Sequence, residues 1–475
     1  MKKFYVTTSI PYVNGQPHIG HALEFVQTDV LARTHRQRGD EVFYLTGSDD
    51  NSLKNVQAAE KENISTAELV KRNSQKFAEL GQALDVTNDS FINTAAKEHF
   101  IGAQKLWQAC RPEDIYKKKY QGLYCVGCEQ FYTEKDLVNG KCPVHLTVPD
   151  SVEEENYFFK LSAYQAKLTK IFISDQYQIV PQRRKNEMLA FIDRGLEDFS
   201  ISRSQARAKH WGVPVPGDES QVMYVWFDAL ANYLTGLGYG SDETNFKKFW
   251  PADAHVIGKD IIRFHAIYWT AMLLSAKIAL PEKLFVHGHL TRDGGKMSKS
   301  LGNYIEPFEL LKKYGTETVR YYLLRYVNPF DDSDFSYEKL EEAYTADLAN
   351  GLGNLVSRVT GLIEQNKVAI KLKSTKPDKQ LATLVDGFIF DQALKYIWQS
   401  VAEADGIISA TKPWELAKAG KAKEVAKILN QTANLIFTVS QQLKPFLPVT
   451  AEKVEKIITA KEIKKAEALF PRLEK

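Results

Sequence analysis

Two short segments carry the residues best placed to do chemistry on a nucleotide. Pro17-His18-Ile19-Gly20-His21 stands where a β-rich run gives way to a helical one. Its backbone N–H groups therefore fall at a helix N-terminus, where unpaired donors and the positive dipole end suit phosphate oxygens. Two histidines three positions apart face one side of such a helix, and the glycine between them lets a flat ring approach the backbone. Much later, Gly294-Gly295-Lys296-Met297-Ser298-Lys299-Ser300-Leu301-Gly302-Asn303 forms a glycine-flanked loop with two lysines three apart. Glycines and paired ammonium groups suit a loop that closes over a triphosphate and stabilises charge as pyrophosphate leaves. Taken singly, the first segment has a lesser alternative reading as surface histidines beside a turn, and the second as a solvated loop. Their presence in one chain favours the nucleotide reading.

A third constellation points to metal. Of four cysteines, Cys125, Cys128 and Cys142 fall close together and His145 follows the last of them. The spacing Cys125-Val126-Gly127-Cys128, then Cys142-Pro143-Val144-His145, makes two knuckles offering three thiolates and one imidazole, a set suited to a closed tetrahedral structural zinc site. Four protein ligands leave no open position for catalysis. Cys110 stands apart and reads as a small buried hydrophobe.

The elements that must position these groups follow an α/β rhythm. Lys3 to Ser9 is rich in β-formers, Leu23, Val26 and Val30 recur at helical spacing from His21 onward, Gly39 stops that helix, and Glu41 to Thr46 supplies the next strand. The result is a βαβ unit of nucleotide-binding type. Helical pattern runs from about Asn55 to Trp107, and an irregular stretch reaching about Pro216 looks like an insertion. Strands are expected again at Val222 to Phe227, His255 to Gly258 and Leu284 to Gly288, with a helix from Ile261 to Ala276. From about Asp347 the chain is helical: Leu348, Leu352, Leu355, Val359, Leu362 and Ile363 share one arc, and Val425, Ile428, Leu429, Thr432, Leu435, Ile436, Val439 and Leu443 trace another. Asn354 and Arg358, four apart, fall off the first arc and toward solvent.

Composition bounds the rest. With 475 residues, 44% hydrophobic and 25% charged, the chain is an ordinary globular protein of several domains. Lys and Arg total 62 against 59 acidic residues, so no bulk affinity for nucleic acid is expected and any RNA contact must be local. Nothing resembles a secretory h-region or a membrane span of ~18 apolar residues, which makes a cytoplasmic address the expectation.

The two nucleotide segments resemble the HIGH and KMSKS signature pair of class I aminoacyl-tRNA synthetases, and both are complete here. The resemblance implies an α/β fold: a Rossmann-type parallel catalytic sheet with a zinc-knuckle insertion and a C-terminal α-helical bundle. Its expected divisions are residues 1–112 and 218–289 for the two halves of the catalytic domain, 113–217 for the insertion, 290–346 for the KMSKS loop and stem-contact region, and 347–475 for an anticodon-binding domain. It also implies an aminoacyl-adenylate intermediate, with ATP carried as its Mg²⁺ complex. Contacts to ATP would come from Pro17, Gly20, His21, Lys259, Asp260, Lys296, Met297, Ser298 and Lys299. His18, His21, Lys296 and Lys299 would be the catalytic groups.

Three further segments, Ser9-Ile10-Pro11-Tyr12, Trp226-Phe227-Asp228-Ala229-Leu230 with Tyr233, and Phe264 to Trp269, are similar to methionyl-tRNA synthetases. Carried over by position, Ile10, Tyr12, Trp226, Ala229, Tyr233 and His265 would surround the methionine thioether, a soft side chain well held by aromatic faces. Any one of these aromatics alone would read as core. Asp49 would bind the substrate ammonium. Many relatives continue Asp-Glu-His-Gly or Asp-Ala-His-Gly, whereas this chain reads Asp49-Asp50-Asn51-Ser52, leaving Asp50, Asn51 and Ser52 without a role. The pattern Asn354-Leu355-Val356-Ser357-Arg358 and the pair Pro413-Trp414 resemble the family's anticodon contacts, with Trp414 as the stacking aromatic. Partners so implied are L-methionine, ATP and methionine tRNA, initiator and elongator; one structural zinc per chain and a monomer are expected, the sequence ending at Lys475 without the dimerising domain of some relatives.

The rivals are synthetases for leucine, isoleucine, valine or cysteine, which share the signature pair. The branched-chain enzymes usually carry a larger insertion, and a cysteine enzyme would hold metal at its amino-acid site. A tRNA-binding regulator would be marked by erosion of either motif, and neither is eroded.

Overall fold

Short runs rich in Val, Ile, Phe and Tyr pair to form a six-stranded sheet, all parallel: Lys3–Thr8 (β1), Glu41–Ser48 (β2), Ser90–Asn93 (β3), Gln178–Val180 (β4), Ala254–Gly258 (β5) and Lys283–His287 (β6), in the order β3-β2-β1-β5-β6-β4. Adjacent registers such as Val6 with Ala254 and Tyr5 with Phe43 put the order reversal beside β1, where an open parallel sheet places its ligand crevice. The computed structural model describes residues 2–127, 130–132, 134–143, 146–292, 294–297, 304–375 and 377–473. They form two compact units, one of residues 1–17, 41–80 and 88–287, the other of residues 18–40, 81–87 and 288–475.

The first unit contains the sheet. Ile19–Gln37 (α1) separates β1 from β2 in the chain, Leu53–Glu62 (α2) and Thr66–Ala83 (α3) separate β2 from β3, and Lys97–Ala109 (α4) follows. The sequence pattern missed β3, because four residues are too few to register against the helical periodicity on both sides. The run expected as a strand at Val222 to Phe227 also differs. Its strand, Asp218–Met223, ends early and belongs to a separate three-stranded sheet, and Val225–Thr235 (α5) is a helix buried on every face. Buried all round, it shows no amphipathic period that would tell helix from strand. Between α4 and α5, strands Ile115–Cys125, Gln130–Tyr132, Asp150–Phe159 and Phe199–Ser200 make a four-stranded antiparallel sheet.

The second unit joins α1 to the helical half of the chain. Thr316–Arg325 (α6) carries Arg320, wholly buried, whose guanidinium donates to the carbonyls of Leu84, Pro445 and Phe446 and pairs with Asp29 of α1 at 2.9 Å. Asp29 is as deeply buried and also accepts from Arg33 Nε at 2.7 Å and from the Thr87 N–H and hydroxyl. Tyr344–Gly353 winds wider than an α-helix and runs into Asn354–Asn366 (α7); the six residues expected on its apolar arc are all buried. Phe390–Thr411 (α8), Ala422–Leu443 (α9) and Pro448–Ile458 (α10) complete the unit, with the expected face of α9 turned inward apart from half-buried Ile428 and Leu435.

Candidate active site

Within the first unit the expected amino-acid residues converge as a chain of ring contacts. Tyr12 meets the edge of Trp226 at 6.3 Å between centroids, and Trp226 lies edge-on to His265 at 6.3 Å. Trp226, Ala229 and Tyr233 fall at i, i+3 and i+7 of α5, hence on one face. The Tyr233 hydroxyl and His265 Nε2 are 2.6 Å apart, while His265 Nδ1 lies 2.9 Å from the Ile261 carbonyl. A carbonyl only accepts, so Nδ1 carries the proton and Nε2 accepts from Tyr233. The Tyr233 hydroxyl proton and the His265 Nδ1 proton are thus both engaged with the protein. Ile10 is half-buried two residues before Tyr12; Lys259 and Asp260 sit on the turn after β5.

Sequence reasoning did not single out Phe264, stacked on Trp226 at 3.7 Å and nearly parallel, or His255, whose ring lies 4.1 Å from Tyr233. Burial, with His265 adding to it, holds His255 well below the usual imidazole range, so it stays neutral.

The carboxylate expected to meet the ammonium, Asp49, is buried at the carboxyl end of β2 and bridged to Tyr12, its N–H donating to the Pro11 carbonyl at 2.9 Å. The three residues after it acquire distinct duties. Asp50 accepts from the Ser48 hydroxyl at 2.8 Å, and its N–H donates to Thr94 Oγ1; burial outweighs its hydrogen bonds and raises its carboxyl to about 6. Asn51 donates through Nδ2 to the Thr94 carbonyl at 2.9 Å and to Asp228 Oδ2 at 2.7 Å. Ser52 caps α2, accepting from the Lys54 N–H. Asp228 in turn meets His99 Nε2 at 2.5 Å, and His99 Nδ1 reaches Thr235 Oγ1 at 2.7 Å. The signal for this network was Asp228 itself, a lone carboxylate inside an apolar run that has to be paired if buried.

In the second unit, His18 and His21 form a capping box. His18 Nδ1 accepts from the Gly20 N–H at 3.1 Å, His21 Nδ1 accepts from the His18 N–H at 3.0 Å, and the rings stack 3.8 Å apart. With Nδ1 accepting in both, each ring's proton sits on Nε2, so the pair presents two N–H donors. Gly20 matters here for a reason the sequence reading did not give: a Cβ would come within 2.8 Å of the His18 ring. Pro17, just before this cap, is buried. The lysine segment begins on a hairpin in which Thr291 pairs with Lys296, turned at Gly294 with φ +70° and tied by Asp334, which accepts from the Gly294 N–H and the Thr291 hydroxyl. Met297 is half-buried, while Ser298 and Lys299 lie outside the described residues.

Comparison with known proteins decides what these parts belong to. Residues 4–150 and 135–360 match the family described as tRNA synthetases class I (M). A methionine–tRNA ligase of Brucella melitensis is 42% identical over 97% of this chain and 92% of its own, and one of Thermotoga maritima is 39% identical over 97% and 76%. The chain belongs to the methionyl-tRNA synthetase family. Among solved structures it is similar to the Mycobacterium tuberculosis methionyl-tRNA synthetase in complex with methionyl-adenylate, with a TM-score of 0.93 and 36% identity over 99% of this chain and all of that one. The apo form of that enzyme gives a TM-score of 0.86 at 34% identity, covering 100% and 99%.

Two further features are expected of a methionyl-tRNA synthetase. Cys125 ends a strand whose pairing with Gln130 reverses the chain, and a second tight turn, with Leu146 N–H donating to the Cys142 carbonyl at 2.8 Å, follows Cys142. Both cysteines are buried in one small cluster with Tyr132. Cys128 and His145 lie outside the described residues, and among the described ones no group of three metal-binding side chains is gathered. Cys110 is buried, its thiol pushed up to about 12 chiefly by burial, as a core residue should be. At the helical end, the Arg358 guanidinium lies 5.4 Å over the Trp414 ring and pairs with Asp405 at 3.0 Å, while Asn354, one turn earlier, is exposed.

Proposed function

We propose that the chain is a methionine–tRNA ligase, activating L-methionine with ATP and transferring it to the terminal adenosine of methionine tRNA, initiator and elongator alike. The observation that carries this reading is the match, over nearly the full length of both chains, to relatives named for that reaction. In the first step a carboxylate oxygen of methionine attacks the α-phosphorus, the bond to the β-phosphate breaks, and pyrophosphate leaves methionyl-adenylate behind. In the second a ribose hydroxyl attacks the activated carbonyl and AMP leaves. Neither step needs a covalent enzyme intermediate, so the protein's share is positioning and electrostatics.

Asp49 takes the substrate ammonium, and Ile10, Tyr12, Trp226, Ala229, Tyr233 and His265 enclose the thioether. The Nε2–H donors of His18 and His21, the backbone of Pro17 to Gly20, and Lys259 with Asp260 bind ATP, while Met297, Ser298 and the ammonium groups of Lys296 and Lys299 serve the triphosphate. Mg²⁺ bound with ATP supplies neutralisation of phosphate charge. Asn354, Arg358 and Trp414 read the anticodon; a guanidinium over an indole is a ready stacking surface for a splayed base.

The knuckle residues fit a zinc ion: two thiols buried together where little other core is present, with a third thiol and an imidazole at knuckle spacing. Cys125, Cys128, Cys142 and His145 would hold it, and it would supply folding energy to that segment, not catalysis. Residues 1–112 and 218–289 serve as the catalytic domain, its sheet joined by β4 from the insertion of residues 113–217, with 290–346 as the loop and stem-contact region and 347–475 as the anticodon domain, in a cytoplasmic monomer. No helix among the described residues is long and apolar enough to cross a membrane. Pyrophosphate exchange measured with methionine, leucine and cysteine tests the assignment: exchange driven by methionine alone is expected, and exchange driven by either other amino acid refutes it.

A further inference from the structure

We propose that Asn51 is a positioning residue for amino-acid recognition, clasping the strand end that bears Asp49 to the helix that bears the thioether wall. The inference rests on the reading of Asp49 and α5 as the two sides of the methionine site. Its basis is a set of contacts that converge on one carboxamide. The Asn51 backbone N–H donates to Asp49 Oδ1 at 3.3 Å, orienting the carboxylate. Its side chain spends both Nδ2 hydrogens, one on the Thr94 carbonyl at 2.9 Å and one on Asp228 Oδ2 at 2.7 Å. Asp228 lies on α5 between Trp226 and Ala229, and its other oxygen is held by His99 at 2.5 Å. Asn51, Asp228 and His99 are all buried.

Asparagine suits this position where other short polar residues do not. Aspartate would set a carboxylate against both Asp228 and a carbonyl oxygen, which repel it in a buried site. Serine offers a single donor for two acceptors, and glutamine is one methylene too long for a packed pocket. The neighbours are excluded by their own duties, since Asp50 faces Ser48 and Thr94 and Ser52 caps α2. Of the three residues after Asp49, Asn51 is the one whose hydrogen bonds reach both Asp49 and α5. Loosening it changes the distance between the ammonium partner and the rings, and leaves the histidines and lysines assigned to ATP untouched.

The test is a split of kinetic parameters in methionine-dependent pyrophosphate exchange. Asn51→Ala should raise KM for methionine about tenfold or more, the loss of a hydrogen bond to a charged group, with KM for ATP held within about twofold. Asn51→Asp should be at least as damaging. Combining it with Asp228→Asn, which exchanges amide and carboxylate across the same contact but leaves the Thr94 carbonyl facing a carboxylate, should reverse part of the rise in methionine KM caused by Asn51→Asp. Equal losses toward methionine and ATP, or no recovery in the exchanged pair, overturn the proposal. Asp49→Asn, measured alongside, separates the two layers: an unchanged methionine KM there refutes the underlying assignment, whereas a raised one with a normal Asn51→Ala refutes only the role of Asn51. Should Asn51→Ala fold poorly, Asn51→Ser, which keeps one donor, is read against the same two parameters.

Discussion

Replacing Asp29 with asparagine keeps the shape of the side chain and removes only its charge, at a place where the geometry fixes the cost. Oδ2 accepts from Arg33 Nε at 2.7 Å and Arg320 Nη2 at 2.9 Å, and Oδ1 accepts from the Thr87 N–H at 2.8 Å and hydroxyl at 2.7 Å. An amide must point its NH₂ at one set or the other, so either orientation sets donor against donor. Arg33 is partly exposed and already touches Asp85 at 3.0 Å, so it can shift its pairing at small cost. Arg320 is fully buried and cannot. Breaking a buried pair by removing one partner costs about 3–5 kcal/mol, and the three carbonyls that Arg320 keeps place the expected value near the lower end, about 3 kcal/mol. For a unit of roughly 200 residues each kcal/mol moves the melting temperature by about 2–4 °C, so Asp29→Asn should melt about 6–12 °C lower. Circular dichroism at 222 nm follows the transition. A drop of less than about 2 °C would refute the claim that the pair is held in a low-dielectric interior. Substituting both partners, Asp29→Leu with Arg320→Met, should recover much of the loss, because it removes both buried charges together.

Lys299→Ala should lower pyrophosphate exchange by about a hundredfold or more while leaving methionine affinity, read by equilibrium binding, near that of the parent; near-normal exchange contradicts its electrostatic role. Asp50 supplies a pH dependence. Its carboxyl rises to about 6 on folding, so the folded form binds the proton more tightly, and stability from this group is full below about 4 and declines as the pH rises through about 6. Against wild type, Asp50→Asn should therefore gain relative stability across that window, by a few kcal/mol at most, and parallel melting curves from pH 4 to 7 would count against it. On the proposed ligand set, Cys142→Ser should cost the protein about one equivalent of zinc by elemental analysis, and retention of full metal would exclude it as a ligand. Trp414→Ala should reduce aminoacylation by about tenfold with exchange unaltered, since stacking of one base is worth about 1–3 kcal/mol; equal effects in both assays would place Trp414 outside anticodon reading.

What could be read from the sequence was whatever announces itself locally. The start of α1 was legible because a β-rich run gives way there to apolar residues at helical spacing, and the arc of α7 because its apolar residues repeat in the same way. β3 was lost between two helices for want of length, and the first residues of α5 were read into the preceding strand because complete burial erases the polar face. Tyr12, Trp226, Tyr233 and His265 are in contact in the fold, but the pairing of Asn51 with Asp228 spans 177 positions and that of Arg320 with Asp29 nearly 300, and neither residue type nor spacing foretells them. Asp50-Asn51-Ser52 was a gap in the sequence reading because its duties are toward the fold and the pocket wall, not toward the nucleotide.

The reciprocal cap of His18 and His21 changes what an intact signature motif means. The same imidazoles whose protons sit on Nε2 also satisfy the first orphan N–H groups of α1, and Gly20 is held at that position by the ring of His18. On the proposed ATP role, a kinetic deficit measured on a histidine variant is thus a sum of a lost ligand and a frayed helix. Only a replacement that keeps an acceptor where Nδ1 stands, asparagine for His18 foremost, divides the two. By the same reasoning, a descendant of this chain that had abandoned ligation would keep its histidines for as long as it needed the helix, and its lysines would be the first to record the change.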